Sequence, residues 1–268
     1  MKIFSLLIVL MVLNACTPPS ATQDFVDAEG QDSITSGKAV AKDNPQFNSV
    51  VGIRMIIPGA DFSGICTGTL IQEDVVLTAA HCLKDEEKEY SEIFVIFNTD
   101  VRGVPKQFAR RAVRGIIHHS FVDGRNSNSH DIALLKFTGG LPAGYKPSPL
   151  MRPTMELRRN DKITVAGYGI NSVIKNKGSG ILRFAEVRIA DPDTTQTEFR
   201  VSQWLRGVCM GDSGGPAFKT INGVQYVVGV TNKTFEIGPF HCIISSYFVR
   251  VDRFYDWIQH GLRSLKTN

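Results

Sequence analysis

An all-β fold, sandwich or barrel, is what this 268-residue sequence predicts, on three observations. From about Asn48 onward it is built of short apolar or alternating runs: VVGIRMII at 50–57, VVLTAA at 75–80, IFVIF at 93–97, IALLKF at 132–137, ITVAGYG at 163–169, YVVGVT at 226–231 and YFVRV at 247–251. Glycine, proline, asparagine and charged residues punctuate these runs at turn-like intervals. Helical periodicity is scarce, which argues against alternating β and α units. Its one clear instance is C-terminal, where Phe254, Trp257, Ile258, Leu262 and Leu265 follow helical spacing after Asp252, a candidate N-cap.

Composition narrows the class further. A hydrophobic content of 43% suffices for a sizeable core, and a net charge of +4 with scattered basic residues gives no nucleic-acid footprint. The charge run Lys84 to Glu89 reads as a solvated loop, since its acids match no calcium-loop spacing.

The N-terminus reads as an export segment. Lys2 precedes a run from Ile3 to Leu13 whose only polar residue is Ser5, too short to span a bilayer but the right length for the apolar part of a signal peptide over 1–15. It ends in Leu13-Asn14-Ala15-Cys16, which resembles the bacterial lipoprotein signal, in which the cysteine thiol is acylated and becomes the new N-terminus. Residues 16–33, rich in proline, small and acidic residues, read as a lipidated tether or propeptide. The expected location is therefore a bacterial cell envelope, outer membrane or periplasm, with the membrane as partner through Cys16, and/or secretion once the anchored segment is cut away. Lipidation of Cys16 would leave Cys66, Cys82, Cys209 and Cys242, an even set for an oxidising compartment with three possible connectivities.

Chemistry concentrates in three places. Gly211-Asp212-Ser213-Gly214-Gly215-Pro216 is a run that no regular helix or strand would choose, and its irregular backbone can turn successive N–H groups into one concavity, as an oxyanion requires. A serine there needs a base within reach and a third group to fix that base. Thr78-Ala79-Ala80-His81-Cys82 and Asp131-Ile132-Ala133-Leu134-Leu135 offer both.

Taken together, TAAHC, DIALL and GDSGGP, in that order, resemble the chymotrypsin-like (trypsin-fold) serine peptidase family over roughly Ile34 to the C-terminus. The separations of fifty residues from His81 to Asp131 and eighty-two from there to Ser213 suit it, as do Cys66-Thr67-Gly68-Thr69-Leu70, Val165-Ala166-Gly167-Tyr168-Gly169 and Trp257-Ile258. The resemblance implies two packed antiparallel six-stranded β-barrels, over 34–150 with His81 and Asp131 and over 151–268 with Ser213 and a terminal helix. It implies Ser213 as nucleophile, His81 as general base, Asp131 as its orienter and the N–H groups of Gly211 and Ser213 as oxyanion hole. It also implies disulfides Cys66–Cys82 and Cys209–Cys242, and an activation pair in which cleavage before Ile34 frees an ammonium for Asp212. No metal or other cofactor is called for, the substrate is a protein or peptide, and a separate protease would make the activating cut. His118 and His119 resemble a family strand end, while His130, His241 and His260 read as ordinary surface or packing residues.

The specificity pocket departs from the pattern. Gly207, six residues before Ser213, stands where trypsin-type members place an acid for lysine or arginine, and Ser246 aligns with the pocket floor, so an uncharged pocket is expected. Asn232-Lys233-Thr234 replaces the family's Ser-Trp-Gly edge. These departures leave two further readings in play, a catalytically silent binding or scaffold protein and an esterase using the same triad.

Overall fold

The computed structural model describes residues 34, 37–59, 64–84, 90–122, 128–171, 178–204, 206–235 and 242–266. The export segment, Cys16, the tether, the proposed Ser33 side of the cut, the charged loop at 85–89 and His241 lie outside the described residues.

After a two-residue strand β1 (Lys38–Ala39), six strands follow: β2 (Val50–Ile56), β3 (Gly64–Gln72), β4 (Val75–Thr78), β5 (Glu92–Ile96), β6 (Ala109–Ile117) and β7 (Ala133–Phe137). They pair antiparallel in the cyclic order β2-β3-β4-β7-β6-β5, which closes a barrel and leaves no open edge. Strand β6 hides its character in the sequence because its outward positions, Arg111, Val113 and Gly115, do not make a uniformly polar face.

A second ring comprises β8 (Lys162–Gly167), β9 (Arg183–Asp191), β10 (Glu198–Ser202), β11 (Pro216–Ile221), β12 (Val224–Thr234) and β13 (Ser245–Arg250). Its order is β9-β10-β13-β12-β11-β8, closed by the β8–β9 pairing, with β1 attached to β9. Ile163, Val165, Val187, Ile189, Phe199 and Phe248 fill this barrel, the two phenylalanine rings stacking at 5.2 Å. The two-barrel, six-stranded fold expected from the sequence is what the chain adopts.

The chain ends in helix α1 (Tyr255–Lys266), which buries Ile258, Leu262 and Leu265. It crosses back onto the first barrel: a Cβ added at Gly261 would lie 2.5 Å from Leu134 Cδ1, so a larger residue there would have to displace the end of that side chain. The Lys136 ammonium donates to the Leu265 carbonyl near the helix C-terminus, where the helix dipole favours a cation. Asp252 does not cap this helix as its position suggested. Its carboxylate is taken by Arg250, which donates through Nε at 3.0 Å and Nη2 at 2.7 Å, and a 3-10 turn over Asp252–Phe254 leads into the helix instead.

Candidate active site

The site begins with the register of two strands. Thr78 of β4 is opposite Ala133 of β7, so the segment leaving β4 and the segment entering β7 start side by side. His81 lies in the 3-10 turn Ala80–Cys82 directly after β4, and Asp131 lies two residues before β7. The carboxylate of Asp131 is 2% exposed and holds His81 twice, accepting from its backbone N–H at 2.9 Å through Oδ1 and from Nδ1 at 2.6 Å through Oδ2. A carboxylate can only accept, so Nδ1 carries the hydrogen, and in the neutral ring it is Nε2 that keeps the lone pair. The imidazole is thus presented as a base.

The loop carrying Ser213, the candidate nucleophile, belongs to the second barrel but is fastened to the first. Thr67 of β3, fully buried, donates its N–H to the Ser213 carbonyl at 2.8 Å and its hydroxyl to the Gly211 carbonyl at 2.9 Å, while that hydroxyl accepts from Tyr168 N–H at 3.1 Å. Cys82 Sγ lies 3.6 Å from the same Ser213 carbonyl oxygen, which sets the serine against the residue following His81. Gly211 and Gly214 have φ of +95° and +79°, a conformation suited to glycine. A Cβ at Gly214 would also strike Thr78 Oγ1 at 2.1 Å. Among the described residues, the backbone N–H groups of Gly211 and Ser213 donate to no protein acceptor, while those of Asp212, Gly214 and Gly215 are all used. These two N–H groups are the donors that the oxyanion expectation names.

Asp212 turns inward. Completely buried, it accepts from Gly169 N–H and Cys209 N–H, each at 2.8 Å. Burial pushes its pKa up to about 7, against those two hydrogen bonds and the more distant charge of Arg183. Ile34 is also completely buried, packed in the core of this second barrel.

Disulfides join Cys66 to Cys82 and Cys209 to Cys242, the pairing the family resemblance implied. Cys66, Cys82 and His81 bring three potential metal-binding atoms together, but both sulfurs are spent in the disulfide.

Sequence reasoning missed three supporting residues. Thr67 lay within a quoted motif but nothing marked its role. Glu198 of β10, completely buried, accepts from Asn232 Nδ2 at 2.6 Å, Ser129 Oγ at 3.4 Å and Lys233 Nζ at 3.4 Å. It thereby fixes the chain two residues ahead of Asp131. Gln203 joins the two expected pocket residues: Ser246 Oγ donates to its side-chain oxygen, and a Cβ added at Gly207 would lie 2.3 Å from that oxygen. His118, His119 and His130 form a stack, with ring centroids 4.5 and 5.2 Å from His118, and pack beneath Phe254 and Trp257.

A sequence model of the family described as Trypsin matches residues 41–258, a span containing all three triad candidates. The chain belongs to the trypsin family of serine proteases. It is 28% identical over 219 residues to "Serine protease SSP1" of Scolopendra subspinipes, covering 76% of this chain and 75% of that one. It is 25% identical over 264 residues to "Chymotrypsin-like elastase family member 1" of Bos taurus, covering 91% and 94%, and 26% identical over 213 residues to "Granzyme E" of Mus musculus, covering 75% and 80%. Within this trypsin-family chain, the two disulfides fit an extracellular, oxidising setting.

Proposed function

We propose that the protein is a serine endopeptidase, made as a lipid-anchored precursor in a bacterial envelope and released on cleavage before Ile34. The observation that carries the catalytic reading is the double hold of Asp131 on His81, which leaves Nε2 as the acceptor for a serine proton. A catalytically silent scaffold has no need of that tautomer.

In this reading Ser213 Oγ attacks the scissile carbonyl carbon while His81 Nε2 takes its proton. The carbonyl oxygen, now an oxyanion, receives the N–H groups of Gly211 and Ser213. His81 returns the proton to the leaving amine, the C–N bond breaks and an acyl-enzyme on Ser213 remains. Water then repeats the sequence, giving its proton to His81 and releasing the acid.

The activation half rests on Asp212, whose raised pKa marks a buried carboxylate short of cationic support. An ammonium freed at Ile34 would supply it. Because residues 17–33 contain no cysteine, nothing would then link the domain to acylated Cys16, and activation would release it.

The test uses a fluorophosphonate probe on separated membrane and soluble fractions. Labelling of a soluble form beginning at Ile34, abolished by Ser213→Ala and His81→Ala, supports the reading. Labelling that survives Ser213→Ala removes the catalytic claim, and full-length acylated protein that labels equally well removes activation by release. A labelled protein that cuts esters but no peptide library is an esterase.

A further inference from the structure

Gln203 directly follows β10, and its side chain runs inward, 4% exposed. Its amide nitrogen donates to the Cys242 carbonyl at 2.6 Å and to the Val208 carbonyl at 3.2 Å, and its carbonyl oxygen accepts from Ser246 Oγ. The orientation is forced, because two backbone carbonyls can only accept and so must face the NH₂ end. Each of its two N–H groups has a partner, and so does the oxygen. A buried carboxamide held in this way is a fixed part of the wall.

Its place gives it meaning. Val208 leads through Cys209 and Met210 into the nucleophile loop, while Ser246 of β13 pairs with Thr234 near the end of β12. Gln203 therefore ties the segment entering Ser213 to the facing pair of strands, and the Cys209–Cys242 disulfide bridges the same gap. At Gly207 a Cβ would lie 2.3 Å from Gln203 Oε1 and 2.5 Å from its Cβ. The amide oxygen thus occupies the start of any side chain that position 207 might carry.

We infer that Gln203 is the specificity-determining residue of this site: its carboxamide closes the floor beside Ser213, so that the protein cleaves after short, uncharged side chains such as alanine, valine, serine and threonine. The inference rests on the peptidase reading and names that site's substrate class. Two carbonyls and a hydroxyl converge on Gln203, a set of acceptors that would suit an entering ammonium or guanidinium. With Gln203 in place they are already satisfied. A cation would have to give up its hydration without an acid to meet it, and a long apolar chain would meet the amide before it was seated.

The experiment compares the mature wild type with Gln203→Ala on peptides differing only in the residue before the scissile bond (Ala, Val, Leu, Phe, Lys, Arg), with active enzyme counted by fluorophosphonate titration. Wild type is expected to favour Ala and Val. Removing the side chain opens the floor and exposes its acceptors, so kcat/KM for Lys and Phe should rise relative to Ala by on the order of 10- to 100-fold. Benzamidine, whose amidinium needs no turnover to report, should bind Gln203→Ala at least about tenfold more tightly by calorimetry. Gln203→Met, which keeps the bulk, guards against misfolding of the alanine variant and should retain the preference for short residues. A wild type that cuts equally well after Lys or Phe overturns the inference. So does an unchanged cleavage profile with unchanged benzamidine binding in a folded Gln203→Ala. Failure of every form to label with the fluorophosphonate or to cut any peptide is a separate result, which defeats the peptidase reading instead.

Discussion

The N–H of Thr67 donates to the carbonyl of Ser213 at 2.8 Å, joining a strand of the first barrel to the proposed nucleophile of the second. The Thr67 hydroxyl holds the other end of the same loop at Gly211. Replacing it by valine keeps the shape and the backbone bond but leaves the partly buried Gly211 carbonyl and the buried Tyr168 N–H without this partner. Thr67→Val should lose about 1 to 3 kcal/mol of stability in urea unfolding. Peptide turnover should fall by roughly tenfold to a hundredfold, because the oxyanion donors are displaced. Full activity in a destabilised variant would show that the loop keeps its shape unaided.

Asp131→Asn tests the tautomer. An asparagine can present its NH₂ to His81 Nδ1, which moves the imidazole hydrogen to Nε2 and removes the base. The expected loss in kcat is about 10⁴-fold with the fold intact by circular dichroism. A loss below tenfold would mean that Asp131 only braces the turn.

Two buried groups give stability opposite pH dependences. His118 is pushed down from the ordinary 6.5 to about 4, by burial first and then by His119 and His130. Between pH 6.5 and 4 the unfolded chain takes up a proton that the folded chain refuses, so this group lowers stability as pH falls through that window. Asp212, raised by burial from 3.8 to about 7, keeps its proton in the folded chain where the unfolded chain has released it. It therefore lowers stability as pH rises through 3.8 to 7. In uncut, inactive Ser213→Ala protein the two slopes oppose each other from about pH 4 to 6.5. Urea midpoints should fall with rising pH there when His118→Phe is added, and rise with pH when Asp212→Asn is added instead. Identical profiles in the two variants would refute the assignment.

Glu198 carries the only carboxylate that Asn232, Ser129 and Lys233 share among the hydrogen bonds of the described residues. Glu198→Ala removes the acceptor that these three side chains share, a loss of about 1 to 3 kcal/mol. Glu198→Gln, which keeps an acceptor oxygen for Asn232, should lose less. The comparison is made by thermal and urea unfolding, and equal stability of all three forms would show that the network is idle.

The candidate reacting groups stand out in the sequence because the chemistry proposed for them needs unusual local sequence. Glycines flank Ser213 where positive φ is needed, and a cysteine follows His81 where the disulfide anchors its turn. Strand β9 was missed although Ala185, Val187 and Ile189 alternate inward against outward Glu186 and Arg188, a period-two pattern open to direct reading. Gln203, Glu198 and Thr67 were not legible in the same way. Each has a decisive partner far along the chain, Cys242 for Gln203, Asn232 for Glu198 and Ser213 for Thr67, and no local spacing records such contacts. Asp252 failed as a cap for a related reason, since its neighbour Arg250 competes for the carboxylate.

The pairing of Thr78 with Ala133 places His81 and Asp131 on one barrel, while Ser213 lies on the other, between β10 and β11. The site is in that sense a joint. Helix α1, leaving the second barrel to lie against Leu134 of the first, is the brace across it. In the peptidase reading, a substitution in the core shared by the two barrels would cost turnover without touching any of the three reacting residues.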